Sequence, residues 1–165
     1  MTTLAEIAIV MLLLVVAWRD VLTRTLPDGI ALAVAAIGLG LRASMGWSPL
    51  LLSAAAATLL FTVLLAVAMR GWIGGGDVKL ATALALGLPL GTILDFLLIT
   101  VMAGGALGLG YMSGPYLVSR RPPALGGSGL RRVVAVEMRR LRRGGPLPYA
   151  VAIAAGGIFT HLAGH

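Results

Sequence analysis

The sequence predicts an all-α, polytopic membrane protein with six transmembrane helices, and three observations point there. Mean hydropathy is +0.99, with 59% hydrophobic and 12% charged residues. The charged share is about half that of an ordinary soluble domain. A water-soluble chain of 165 residues has no interior large enough to hide so much apolar surface. Second, the apolar residues fall into runs close to the roughly 17–25 residues that cross a hydrocarbon core. Third, Lys and Arg concentrate in alternate connections, which is how positive charge sets topology.

Spans are expected at about 3–19, 29–45, 49–69, 78–94, 95–118 and 147–163. The first run, about Leu4 to Trp18, has no basic residue ahead of it. It continues into Trp18-Arg19-Asp20 rather than a small-residue cleavage site, so it reads as a retained span and not a signal peptide. The second follows Pro27, which limits helix continuation, and Asp28 or Thr25 is the expected cap. The third holds Ala54-Ala55-Ala56-Ala57 and the fifth Gly104-Gly105, Gly108 and Gly110. Such small residues read as helix-packing faces. Between the fourth and fifth, Gly87-Leu88-Pro89-Leu90-Gly91 is an alternative place for the turn. Trp18, Trp47 and Trp72 stand at span ends, as interfacial tryptophans do. No internal repeat stands out, so an inverted-repeat transporter has no support from symmetry.

With the N-terminus outside, the inner connections hold Arg19, Arg24, Arg70, Lys79, Arg120, Arg121, Arg131, Arg132, Arg139, Arg140, Arg142 and Arg143. That is twelve of the thirteen basic residues, and Arg42 alone falls outside. Both termini are then outside, and Asp20, Asp28, Asp77 and Glu137 lie on the cytoplasmic side of the plasma (inner) membrane. The formal charge of +7 is read as topology and lipid contact rather than nucleic-acid binding. One domain is expected over 1–165, with a cytoplasmic basic loop at about 120–146. The loop starts Pro- and Gly-rich (121–129) and continues as a short amphipathic helix over Leu130–Arg143, suited to the inner leaflet.

The composition also narrows the chemistry. Without cysteine, disulfides, thiolate metal sites and cysteine nucleophiles are excluded. The two histidines, His161 and His165, lie at the far C-terminus and give a Ser-His-Asp triad little to build on. No metal or other cofactor is expected. Carboxylates remain. In Gly74-Gly75-Gly76-Asp77 the glycines allow a sharp turn at the membrane surface, and Asp77 falls in the first turn of the next helix, where the dipole favours an acid. The spacing is neither a phosphate-binding loop nor a dinucleotide fingerprint. Asp20 lies at the same surface, 57 residues earlier, where a salt bridge to Arg19 or Arg24 is the structural alternative. Two carboxyls close enough to share a proton titrate as a unit. The ionised one deprotonates water and the protonated one polarises a carbonyl.

Gly74-Gly75-Gly76-Asp77-Val78-Lys79-Leu80 resembles the second-aspartate signature of the prepilin peptidases, which are Gly-x-Gly-Asp membrane aspartic proteases. Asp20-Val21-Leu22-Thr23-Arg24-Thr25-Leu26-Pro27-Asp28 is similar to their first-aspartate motif, with Leu26 and Asp28 where Ile and Asn are usual. Gly145-Pro146-Leu147-Pro148-Tyr149-Ala150 with Gly156 resembles the segment that opens their last span. The resemblance implies an endopeptidase that removes a short basic leader, after a glycine, from type IV prepilin-like precursors at the cytoplasmic membrane surface. It makes Asp20 and Asp77 the catalytic pair, with Gly74, Gly76, Lys79, Arg24 and Pro27 in support. Lys79 is expected to meet a carboxylate, substrate or lipid, and Arg24 to orient Asp20. The lack of the four-cysteine insert resembles the short, peptidase-only form, without methyltransferase activity.

The expected partners are the precursor and membrane lipid; the sequence assigns no oligomeric state. One alternative is an intramembrane protease of the presenilin or signal-peptide-peptidase type, from which Arg19 before Asp20 departs. Another is a non-enzymatic transporter or pilus-assembly protein using Asp20 and Asp77 as proton or cation sites.

Overall fold

The computed structural model describes residues 4–117, 133–134, 136–139 and 147–163, and among them every regular element is helical. The helices are α1 (Leu4–Thr23), α2 (Asp28–Ser44), α3 (Trp47–Met69), α4 (Gly75–Gly87), α5 (Leu90–Leu117) and α6 (Tyr149–Ala163). Part of 133–139 is also helical. The rest of the expected amphipathic helix, and the Pro- and Gly-rich stretch before it, lie outside the described residues.

Each connection has a local cause. Pro27 stands at the N-cap of α2 in extended backbone (φ −67°, ψ 128°) with no side-chain cap. Asp28 is therefore a first-turn acid, and Thr25 Oγ1 donates to Thr23 Oγ1 instead (2.9 Å). The expected capping by Asp28 or Thr25 does not occur, because Pro27 brings the chain in already extended. At the end of α3, Gly71 adopts φ +77°. Its N–H bonds Ala68 O (2.8 Å) and that of Trp72 bonds Val67 O (3.4 Å). This pair of bonds satisfies the last carbonyls of a helix that ends on a left-handed residue.

The break between α4 and α5 falls at Leu88-Pro89, within the alternative turn at 87–91, and not at 94/95. Leu88 is extended (φ −88°, ψ 146°), as the residue before a proline prefers. Asp95 accordingly lies inside α5. With 13 residues, α4 is about 20 Å long, short of the roughly 30 Å hydrocarbon core. The 28-residue α5 extends about 42 Å.

Short as it is, α4 is the axis of the fold. Val78, Leu80, Ala81, Ala83, Leu84 and Ala85 are all buried, and the helix packs against α2, α3 and α6. The closest approach is to α2, where a Cβ on Gly38 would lie 2.7 Å from Gly87 Cα. Ile9, Leu13 and Val16 of α1, Phe96 of α5 and Ile153 of α6 complete the core.

Arg42, the one basic residue expected outside, is buried at 8% exposure. Its Nε donates to Ser53 Oγ (2.9 Å), and Ser53 Oγ donates to Leu88 O (2.9 Å). The carbonyl freed at the α4–α5 turn is thus satisfied by a relay of side chains. Buried backbone needs such partners, most of all where no water reaches.

The outside of the bundle is apolar. Trp47–Met69 and Leu90–Ser113 are long and apolar enough to cross a membrane, and little of either is buried. Leu51, Leu59 and Val63 of α3 and Leu94, Leu98 and Val101 of α5 are exposed. Each such side chain left in water forgoes roughly 1.5–3 kcal/mol relative to burial, so a surface of this kind calls for lipid. The other four helices do not meet the same criteria of length and composition. Helix α1 carries Glu6, Arg19 and Asp20, and α2, α4 and α6 are shorter than 18 residues.

Candidate active site

Asp20 and Asp77, 57 residues apart in sequence, line one cavity of about 800 Å3 together with Arg24, Leu26, Trp72 and Tyr149. Each is placed by a different device.

Asp77 is the third residue of α4, whose N-cap is Gly74. Its N–H bonds Gly74 O (3.1 Å), and its carboxyl turns back to accept from the Gly74 N–H. An acid at this position reaching back to the cap satisfies one of the orphan donors at a helix start. The glycines differ in their steric surroundings. A Cβ on Gly74 would stand 3.0 Å from Asp77 Oδ2, and one on Gly76 would stand 3.1 Å from Leu26 Cβ, whereas one on Gly75 would meet nothing within 4 Å. The first glycine makes room for the carboxyl and the third lets the chain after α1 close on α4. The middle one is sterically free.

Asp20 stands in the last turn of α1, with 7% exposure. The Ala150 N–H at the start of α6, and to a lesser degree that of Val151, which itself bonds Pro148 O (3.1 Å), favour the charged form of its carboxyl, while its Oδ2 is buried with no hydrogen-bond partner. A carboxylate is at home against helix-start N–H groups.

Both residues lie just beyond the apolar stretches of their helices, and both have acidities shifted the same way. Burial raises Asp20, against the lowering influence of Arg24 and of the Ala150 N–H. Asp77 is raised to about 6, first by burial and then by the charge of Asp20, with the Gly74 N–H opposing. The two carboxyls therefore sense one another, and Asp77 keeps its proton up to about pH 6.

The supporting residues divide. Arg24 does not pair with Asp20. Its Nη2 donates to Tyr111 Oη (2.6 Å) and pairs with Glu137 Oε1. Lys79 meets Asp28 (2.7 Å), so the carboxylate it finds belongs to the α2 start. Pro27 sets the path of the chain into α2 and does not line the cavity. Leu147 and Tyr149 of the C-terminal motif line it, while Gly145 and Pro146 lie outside the described residues. Tyr111 and the α6 N–H groups are absent from the sequence reading, which places Glu137 on the cytoplasmic side but gives it no role in the site. The usable signal was Glu137, the single acid among the basic residues of 120–146.

A second cavity, of about 470 Å3, opens from Asp77 along α5, where Phe96, Val101, Gly105 and Gly108 line it; Ile73, Leu147 and Tyr149 belong to both spaces. A Cβ on Gly105, Gly108 or Gly110 would meet nothing within 4 Å. Of the glycines expected on packing faces, Gly104 does face α6, where a Cβ would stand 3.7 Å from Ala152 Cβ, whereas Gly105 and Gly108 border the gap; α5 is held mainly by α6. Among the described residues no group of three or more His, Asp or Glu side chains could hold a metal ion.

The described residues thus form an all-helical bundle with an apolar outside and two carboxyls in one cleft. Residues 7–109 match the type IV leader peptidase family, and the chain belongs to that family of peptidases. The match spans Asp20 and Gly74–Asp77 and stops short of Tyr111, Glu137 and α6. No curated protein and no solved structure matches the chain.

Proposed function

We propose that the protein is an aspartic endopeptidase of the plasma (inner) membrane that removes the short basic leader from type IV prepilin-like precursors at the cytoplasmic face. The observation that supports this most is the shared cavity of Asp20 and Asp77 and the effect of Asp20's charge on Asp77. The N–H groups at the start of α6 favour an ionised Asp20 and leave the shared proton on Asp77. Asp20 takes a proton from water as the water oxygen attacks the scissile carbonyl carbon. Asp77 gives its proton to the carbonyl oxygen. As the tetrahedral intermediate collapses, one of its hydroxyls returns a proton to Asp77, the C–N bond breaks and the proton held by Asp20 passes to the leaving amine.

In this reading all six helices are membrane-embedded and both termini are outside. Helix α4 penetrates from the cytoplasmic side without needing the full thickness, since its far turn is satisfied through Ser53 and Arg42. The apolar gap along α5 seats the precursor's own apolar helix, with open glycines of the kind found at helix contacts in lipid. The scissile bond then lies at the mouth of the gap, beside Asp77.

Co-expression with a prepilin tests this. Wild type is expected to shorten the precursor, and Asp20→Asn and Asp77→Asn are each expected to leave it intact. Processing at the wild-type rate by either variant refutes the pair.

A further inference from the structure

Arg24 is the most unusual residue near the site. It is the only non-glycine among the described residues with positive φ (+56°), a conformation costing on the order of 1 kcal/mol or more for such a side chain. Its N–H bonds Asp20 O (3.0 Å), four residues back, a spacing at which a guanidinium readily closes on a carboxylate. The side chain goes elsewhere. It lies over the Tyr111 ring (5.7 Å to the centroid), its Nη2 meets Tyr111 Oη and Glu137 Oε1, and Tyr111 Oη also meets Glu137 Oε1. The Arg24 and Glu137 side chains are 13% and 19% exposed, so the contact is largely screened from water. It joins three segments: the end of α1, the latter part of α5 and the basic loop.

We infer that Glu137 is a positioning residue for Asp20: with Tyr111 it holds the Arg24 guanidinium, so that this cation does not close on the Asp20 carboxyl. This role rests on reading Asp20 as half of the catalytic pair. An arginine seated directly on Asp20 would fix it as a permanent anion with occupied lone pairs, unable to take up the water proton. The fixed acid of the loop removes that competitor and leaves Asp20 facing the cavity with Oδ2 unpartnered. The charged and polar groups around Asp20 are consistent with this. They are Arg24 on α1, Glu137 on the loop, Asp77 on α4 and the Ala150 and Val151 N–H groups of α6. Asp28 and Lys79 line the same cavity but neutralise one another. Arg24, though held, still acts on Asp20 to favour its charged form, and its backbone, bonded to Asp20 O (3.0 Å), keeps the side chain's root beside Asp20.

The experiment reads Asp20 without turnover. Dicyclohexylcarbodiimide modifies protonated carboxyls, and mass spectrometry of the full-length protein in liposomes gives the extent at Asp20 against pH. In Glu137→Gln, near-isosteric and uncharged, the midpoint is expected to fall by about one pH unit or more, as when a cation closes on a carboxylate. Cleavage of a prepilin at pH 7 should fall roughly tenfold, the rate expression of such a shift. Glu137→Asp keeps the charge and should stay near wild type. Arg24→Met with Glu137→Gln should return the midpoint to the wild-type value or above and recover most of the cleavage lost in the single variant. An unchanged midpoint in Glu137→Gln overturns the role, and so does a double variant that stays as low as the single one, which would mark Glu137 as merely structural. Absence of Asp20 labelling in wild type at every pH overturns it too, since a carboxyl kept free must be able to carry a proton. A wild type that labels as expected but cuts no prepilin counts against the proposed function and leaves the positioning role standing.

Discussion

The two carboxyls of the cleft are held by contrasting means. Asp77 is fixed almost entirely within four residues: Gly74 caps the helix, donates to the carboxyl and makes room for it. Asp20 is set up at a distance, by N–H groups 130 and 131 residues further on that favour its charged form, while the nearby cation Arg24 is engaged by Glu137. One half of the site comes with its own support, and the other depends on α1, α5, α6 and the loop being assembled. Changes near Asp77 should act on chemistry at once, whereas changes around Asp20 should reach it through folding and loop placement.

The largest expected effect treats the halves alike. Replacing either acid by Asn removes one side of the proton exchange, and general acid–base catalysis is worth roughly 10²- to 10⁴-fold. Precursor processing, followed by mobility shift, should fall by that order in Asp20→Asn and in Asp77→Asn. The double variant should be scarcely worse than either single one, since the pair works as a unit. Additive losses would mean two independent roles.

Next come the glycines, which test whether support for Asp77 is local. Gly74→Ala puts a Cβ 3.0 Å from Oδ2 and should cost roughly tenfold or more, as when a catalytic group is displaced by a fraction of an ångström. Gly76→Ala presses on Leu26 Cβ at 3.1 Å and should be milder. Leu26→Ala in the same chain should recover part of the loss. Gly75→Ala, with open space around it, should stay within about twofold of wild type. Equal losses at all three positions would show that flexibility of the run, rather than room for the carboxyl, is what matters.

This contrast also explains how much could be read from the sequence. Gly74 to Asp77 was legible because its whole device is contiguous. Asp20 was legible as a neighbour only through the distribution of Lys and Arg. The helices were legible as apolar runs, and their ends fell within a few residues of expectation except at the α4–α5 break. There Pro89 and Gly87 outweighed an unbroken apolar pattern from Val78 onward, because backbone conformation ends a helix before hydropathy does. Arg24 was expected beside Asp20, the nearest acid along the chain, and instead found Glu137, 113 residues away. Gly105 and Gly108 were read as packing residues because composition shows the capacity for close contact but not which partner uses it. Arg42 counted as an exception in the charge distribution until the α4–α5 turn revealed a carbonyl that needed it.

A smaller effect separates stability from catalysis at Asp77. Burial and the charge of Asp20 raise its pKa from the ordinary 3.8 to about 6, so between these pH values the folded protein holds more protons than the unfolded chain. Stability contributed by this group is then present below about pH 4 and lost as pH rises through about 6. Asp77→Asn carries no charge to bury. It should melt at a higher temperature than wild type at pH 7, with the gap closing near pH 4, while being inactive at both. An equal or lower melting temperature at pH 7 would show that the reach-back to Gly74 outweighs the burial of charge.

The smallest expected effect is at Lys79, in the matched Gly-x-Gly-Asp signature but directed away from the pair. Its Nζ lies 2.7 Å from Asp28 Oδ1, with side-chain exposures of 53% and 70%, and exposed pairs of this kind contribute about 0–1 kcal/mol. Lys79→Met should therefore change processing by no more than about fivefold, the rate equivalent of 1 kcal/mol. Much of the effect should disappear in Asp28→Asn, because the lysine then has no partner to lose. A deep loss in Lys79→Met that persists with Asp28→Asn would place the ammonium on the substrate or on Asp77 during turnover. The cation assigned to the α2 start would then belong to the Asp77 half, and local support for that carboxyl would extend one turn further along α4.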